Sequence, residues 1–422
     1  MQKLMHNKPM KRLFLTFAFS LSAFLFLYIP KASAQRQQII SDHIQSLQVI
    51  AEDRWTELPV IKLGDGERIT IAFDDMTHEY KRYTYSIKHC EADWSISEGL
   101  FESEYIDGMY DMLTIEDNEQ SLNMATLYTH YQLQIPNEQC RLKMSGNYIV
   151  TITDDNSQEE ILKACFMVCE PRMAVGMEMV TNTDIDFNHG HQQLEVNLKY
   201  NSVSVTDPER QLKVYALQNN RWSTLRSLPR AQFISRDGLQ WRHCKELIFP
   251  ATNEYHKFEY LDIHRNSMGV DRTGFDGSNY HVWVNTDYPR PNYVYDEDAN
   301  GAFYIRNTDN YNNDTESEYF IAHFTYKIAE PFDGDVYLNG MWTYDSLIEQ
   351  YRMEYDYDTH TYQCAIPLKM GYYSYQYLLQ RPDGSVVYLP SDGNYYETEN
   401  SYSCLVYYRP TGGRTDLLVG VK

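Results

Sequence analysis

The segment Tyr83-Thr84-Tyr85-Ser86-Ile87-Lys88-His89-Cys90-Glu91-Ala92-Asp93-Trp94 admits two incompatible readings. His89 and Cys90 stand side by side and Asp93 follows closely, which are the residue types of a base, a nucleophile and a carboxylate. The same run also reads as a β-strand closed by a turn. On a strand, successive side chains leave opposite faces of the sheet. Tyr83, Tyr85, Ile87 and His89 then share one face, while Thr84, Ser86, Lys88 and Cys90 share the other. His89 and Cys90 point apart and cannot act as a nucleophile–base pair. Asp93 and Trp94 fall in the turn, where Asp commonly binds the backbone and Trp folds over a core edge. We read the segment as a strand and its turn.

That reading extends along the chain. Short runs of the same kind recur at 68–73, 146–153, 194–200, 280–285 and 373–379, with no comparable helical period between them. Turn formers such as Asn219-Asn220, Asp333-Gly334 and Asp383-Gly384 separate the strands. The expected fold is all-β, with tandem antiparallel β-sandwich domains of immunoglobulin-like or early-set type. At 422 residues the chain exceeds one ordinary core. Breaks are expected at Cys169-Glu170-Pro171 and near Ala329-Glu330-Pro331. They divide the mature chain into 35–170, a middle β-rich part 171–325, and an early-set-like part 326–422.

The N-terminus carries Lys3, Lys8, Lys11 and Arg12, then an apolar run from Leu13 to Ile29, then Ala32-Ser33-Ala34. This is the pattern of a signal peptide cleaved after residue 34. No Cys follows the small residues, so lipidation is not expected. Cleavage removes five basic residues and no acidic one, taking the net charge from −22 to about −27. A field that acidic repels nucleic acid and anionic membrane surfaces. Tyrosine is the compositional outlier, with 37 residues. It suits strands and broad amphipathic contacts.

Cys90, Cys140, Cys165, Cys169, Cys244, Cys364 and Cys404 make an odd count, so at least one is unpaired within the chain. Cys165 and Cys169 lie four residues apart on one expected strand, about 13 Å, beyond disulfide reach. Most of these cysteines are expected as small buried apolar side chains.

Two further patterns bear on binding. Asp296, Asp298, Asn300 and Gly301 fit the first positions of an EF-hand-like calcium loop, but the twelfth position is Asn307 rather than Glu. An acidic hairpin turn is the preferred reading. Trp342, Tyr373, Tyr375 and Tyr377 lie in a block similar to the glycogen- and starch-binding modules. They are candidates for a sugar-binding aromatic platform, or equally for the interior of a sheet. No G-x-S-x-G, H-E-x-x-H or paired CxxC occurs, and Gly64-Asp65-Gly66 precedes a strand, unlike a phosphate loop. No catalytic residue and no cofactor is expected.

Seven blocks, taken in order, resemble the plug proteins of the type IX secretion system. They are P-V-I-K-L-G-D-G-E-R-I-T-I-A-F-D-D (59–75), Y-T-Y-S-I-K-H-C-E-A-D-W (83–94), E-Y-I-D-G (104–108) and Y-T-H-Y-Q-L-Q-I-P-N (128–137). S-G-N-Y-I-V (145–150), N-G-A-F-Y-I-R (300–306) and V-Y-Y-R-P-T-G-G-R-T-D-L-L-V-G (406–420) complete the set. The resemblance implies a periplasmic, non-enzymatic, all-β protein, peripherally associated with the outer membrane. Its partner would be the large outer-membrane β-barrel translocon, whose periplasmic opening it closes. The alternative is a secreted or surface carbohydrate-binding β-sandwich protein.

Overall fold

The computed structural model describes residues 37–265 and 267–422. The expected signal peptide, residues 1–34, lies outside the described residues. The decisive strand is present as Tyr83–Cys90. It pairs antiparallel with Gly146–Asp154, setting His89 opposite Tyr148, Ile87 opposite Val150 and Tyr85 opposite Ile152. Its alternation sends Tyr83, Tyr85 and Ile87 into one core and Cys90 into another. Gly146 permits the tight end of this pairing. Its φ is +145°, and a Cβ there would stand 2.3 Å from His89 Nε2.

The fold is all-β. A six-stranded sheet runs Gln38–Ile39, Glu160–Cys169, Gly146–Asp154, Tyr83–Cys90, Leu113–Thr114, with Val60–Lys62 added in parallel to Glu160–Cys169. Facing it is a four-stranded sheet of Ile44–Ala51, Ile69–Asp75, Thr129–Ile135 and Asp117–Gln120. Their inner faces share Phe73, Tyr83, Tyr131, Tyr148 and Phe166, all fully buried. We call this the first unit.

The second unit stacks a five-stranded sheet, built around His191–Lys199, on a four-stranded sheet of Arg226–Ser227, Leu212–Gln218, Tyr402–Tyr408 and Leu417–Val421. The third unit wraps ten strands about one core rich in aromatic residues. It includes His256–Tyr260, Tyr280–Val284, Tyr319–Lys327, Thr361–Lys369 and Gly371–Gln380. Strand pairing therefore crosses the expected break near residue 326 in both directions. His256–Tyr260 joins Gly371–Gln380 in the third unit, while Tyr402–Tyr408 returns to Leu212–Gln218 in the second. No helix among the described residues is long and apolar enough to cross a membrane.

Six of the seven cysteines are buried and Cys364 is half-buried. Asn219 and Asn220 adopt φ values of 53° and 55°, the left-handed turn their sequence favours.

Candidate functional site: the seams between the three units

The strand Ile69–Asp75 places Ile69, Ile71 and Phe73 inward, so Asp74 faces out of the first sandwich, toward the third unit. It is nonetheless fully buried. Lys369, at the end of Thr361–Lys369, brings its Nζ to 2.7 Å from Asp74 Oδ2. Tyr319 Oη donates to the same oxygen at 2.7 Å, and His130 Nδ1 lies 2.7 Å from Oδ1. Burial alone would raise this carboxyl; Lys369 and then His130 hold it below the usual range. The ammonium also sits 4.1 Å from the Tyr128 ring and donates to Asp314 O at 2.6 Å. Around this pair, Glu318 accepts from the backbone of Ala125 and Thr126, and Tyr344 Oη donates to Leu47 O at 2.7 Å.

A second seam joins the first and second units. Asp416 accepts from Lys213 Nζ at 2.8 Å, Arg409 Nε at 2.9 Å and Ala92 N at 3.1 Å. Arg409 reaches Glu91 Oε2 at 2.6 Å, and Tyr407 Oη donates to Asn147 Oδ1 at 2.7 Å. Below these polar contacts Cys90, Trp94, Cys165 and Met167 pack on Leu217, Leu405 and Leu418. A third seam pairs Arg221 with Asp345 at 3.1 Å, both largely buried, with Ser223 N donating to Asp345 at 2.9 Å. All three units line a small cavity of about 120 Å³, among whose walls are Trp55, Trp94, Trp222, Arg221 and Tyr344.

The first and third seams thus pair buried charges across units, while the second joins Asp416 to Ala92 N and Arg409 to Glu91 above its apolar packing. Such pairs add little net stability over an apolar replacement, but removing one partner is costly, so they favour one relative placement of the units. Sequence inspection missed these residues. The available signal was a charge inside an otherwise apolar strand run, as at Phe73-Asp74 and Leu368-Lys369.

The residues singled out from sequence fall elsewhere. His89 is buried, with Nδ1 2.9 Å from Ser97 Oγ and Nε2 3.2 Å from Ser145 O. Burial lowers its pKa, whereas burial, then Glu91 and Asp93, pushes the Cys90 thiol up to about 12. The two side chains lie in different surroundings, and no thiolate–imidazole pair forms. Asp93 caps its own turn, accepting from Ser95 N at 3.0 Å.

Asp296 is paired with Lys257 Nζ at 2.5 Å, and Asp298 accepts from the backbone N–H groups of Tyr255 and Asn300. Asn300 has φ 50° and serves the turn. These carboxylates are engaged in shaping the loop. Among the described residues no group of three or more His, Cys, Asp or Glu is placed to hold a metal ion.

The aromatic candidates lie on the interior alternative. Trp342 is 5% exposed and Tyr373, Tyr375 and Tyr377 are each 1% exposed. Trp342 Nε1 donates to Ser374 O at 3.2 Å, while Tyr375 and Tyr377 donate to Asp287 Oδ2 at 2.8 and 2.6 Å. A sugar cannot stack on rings that are already covered on both faces, so these four residues do not make a platform.

Comparison with known proteins adds the family. Residues 44–170 match the model of the type 9 secretion system plug protein 1st domain. A search of curated proteins finds no match. Among solved structures, the crystal structure of a hypothetical protein from Parabacteroides merdae ATCC 43184 is similar, with a TM-score of 0.88 and 38% identity over 92% of this chain and 98% of that one. The chain belongs to one family with that protein, and its residues 44–170 are a type 9 secretion system plug protein 1st domain.

Proposed function

We propose that this protein is a non-enzymatic periplasmic subunit that binds and occludes the periplasmic opening of the large outer-membrane translocon barrel of type IX secretion. The observation that carries the reading is the plug-protein first domain at residues 44–170. Two physical features support it. The seams hold three β-units in one arrangement, as a stopper for a wide aqueous opening requires. The acidic, tyrosine-rich composition suits a partly polar interface that releases as well as binds.

The test is to tag the exposed C-terminus at Lys422, solubilise outer membranes gently from the native host, and identify what co-purifies. A barrel protein of much larger mass, in near-stoichiometric amount and crosslinked to this chain, is the expected result. Recovery of the protein alone from the medium or the cell surface would sink the proposal.

A further inference from the structure

Two histidines on the outer face of the third unit meet in a way the seams and the plug role leave unused. Tyr280–Val284 and Tyr319–Lys327 pair in parallel, with His281 opposite Ile321 and Trp283 opposite His323. Val282, Val284, Ala322 and Phe324 enter the core, so His281, Trp283 and His323 project from the other face, where all three are half-exposed. His281 Nδ1 lies 2.9 Å from His323 Nε2. His281 Nε2 lies 3.1 Å from Asp276 Oδ2, on the turn that precedes its strand.

Three features fix this geometry. Ser278 N and Asn279 N each donate to Asp276 Oδ1 at 2.8 Å, anchoring the carboxylate. The Trp283 and His323 rings stack with centroids 4.6 Å apart and planes 7° apart. Arg272 covers Trp283, its guanidinium carbon 3.8 Å from the ring centroid. Ionised Asp276 takes the Nε2–H of His281, which leaves the lone pair on Nδ1, aimed at His323. A carboxylate behind a histidine is the arrangement that orients imidazoles toward metals.

The geometry points to a two-imidazole site for a borderline transition-metal dication, held by His281 Nδ1 and His323 Nε2. In the metal-free protein His323 donates its Nε2–H to His281. Binding moves that proton to Nδ1 of the same ring, so both imidazoles stay neutral and no proton is released. Metal–nitrogen bonds of about 2.0–2.1 Å in tetrahedral geometry need the two nitrogens about 3.3 Å apart, an opening of roughly 0.4 Å. Water fills the remaining positions, which are open to solvent. Arg272, over the Trp283 ring that stacks on His323, opposes the incoming charge, so the site is weak, and copper(II) binds it ahead of nickel(II) and zinc(II).

The test uses the mature chain without a histidine tag. Copper(II), nickel(II) and zinc(II) chlorides are titrated near neutral pH while tryptophan emission and the melting temperature are followed. We expect copper(II) to quench Trp283 emission and all three ions to raise the melting temperature, in the order given. His281→Asn and His323→Asn should each abolish both responses, and Asp276→Asn should weaken them about 10- to 100-fold. Trp283→Phe should lose the quenching and keep the thermal shift. Melting temperatures in chelator establish that each variant is folded. If a histidine variant does not fold, the Gln substitution at the same position takes its place. The inference is overturned if wild type shows no response at millimolar metal, or if both histidine variants respond as wild type does.

Discussion

Lys369 and Asp74, 295 residues apart in sequence, meet at 2.7 Å where neither side chain is more than 2% exposed. No solvent screens this pair, and each charge has its counter-charge on a different unit. Lys369→Ala leaves Asp74 buried with only His130 and Tyr319 against it. The expected loss is about 3 to 5 kcal/mol of stability, read by urea unfolding. Lys369→Arg, which keeps the charge, should recover part of it. A loss below 1 kcal/mol for the alanine variant would show that this seam does not couple the units.

Asp416 makes a similar test at the seam between the first and second units. It accepts two charge-assisted bonds and one backbone bond, and burial is outweighed by Lys213 and Arg409, so its pKa lies below the usual carboxylate range. Asp416→Asn should cost about 2 to 3 kcal/mol and increase protease cleavage near residues 409–416. Unchanged unfolding and proteolysis would remove it from the set of residues that join the units.

His89→Gln and Cys90→Ser should alter stability only. His89 bridges Ser97 and Ser145 inside the first unit, and Cys90 fills an apolar seam. The expected cost is about 1 to 3 kcal/mol each, measured by thermal melting. Lost secretion with wild-type abundance and melting temperature would reopen a chemical role for the pair.

The strands were legible because alternation is a local property. Tyr83, Tyr85 and Ile87 identify their core from within eight residues, and Asn219-Asn220 identifies its turn from two. The pairing of Leu212–Gln218 with Tyr402–Tyr408 carries no such mark, since both are generic apolar strands and their meeting depends on the whole chain. The same limit hid the seams. Asp74 and Lys369 are each an isolated charge in sequence, and only the packed units show that they share one buried site. For Tyr373, Tyr375 and Tyr377 the period placed three rings on one face without saying whether that face is wet. The rings lie in the interior because Phe258 and Phe324 pack against them.

Trp342 follows from that placement. It packs edge-on to Tyr351 and Tyr373 and nearly parallel to Phe324. Trp342→Ala should cost about 3 to 5 kcal/mol, as expected for an emptied core position. Soluble α-glucans should not shift the melting temperature of the wild-type protein. A glucan-dependent rise that this substitution abolishes, with the fold intact, would restore the carbohydrate-binding reading.

The last expectation concerns pH. His256 lies between two carboxylates, its Nδ1 2.9 Å from Asp287 Oδ1 and its Nε2 3.2 Å from Asp392 Oδ2, with Arg290 also on Asp392 at 3.1 Å. Burial disfavours the imidazolium, but Asp287 and Asp392 outweigh it and raise the pKa to about 9. A histidine raised above its unfolded value of about 6.5 stabilises the fold fully below that value and loses the contribution as pH climbs through 9. Asp392 is held down against burial by His256 and then Arg290, and Asp74 by Lys369. Their contributions are present above an unfolded pKa of about 4 and vanish as pH falls below it. Stability should therefore be greatest between about pH 4.5 and 6.5 and should decline by up to about 3 kcal/mol on the alkaline side. His256→Asn should be less stable at pH 6 and should flatten the decline between pH 6.5 and 9, both read from urea midpoints across that range. A variant with the same alkaline slope as wild type would mean that His256 does not carry the proton between its two carboxylates.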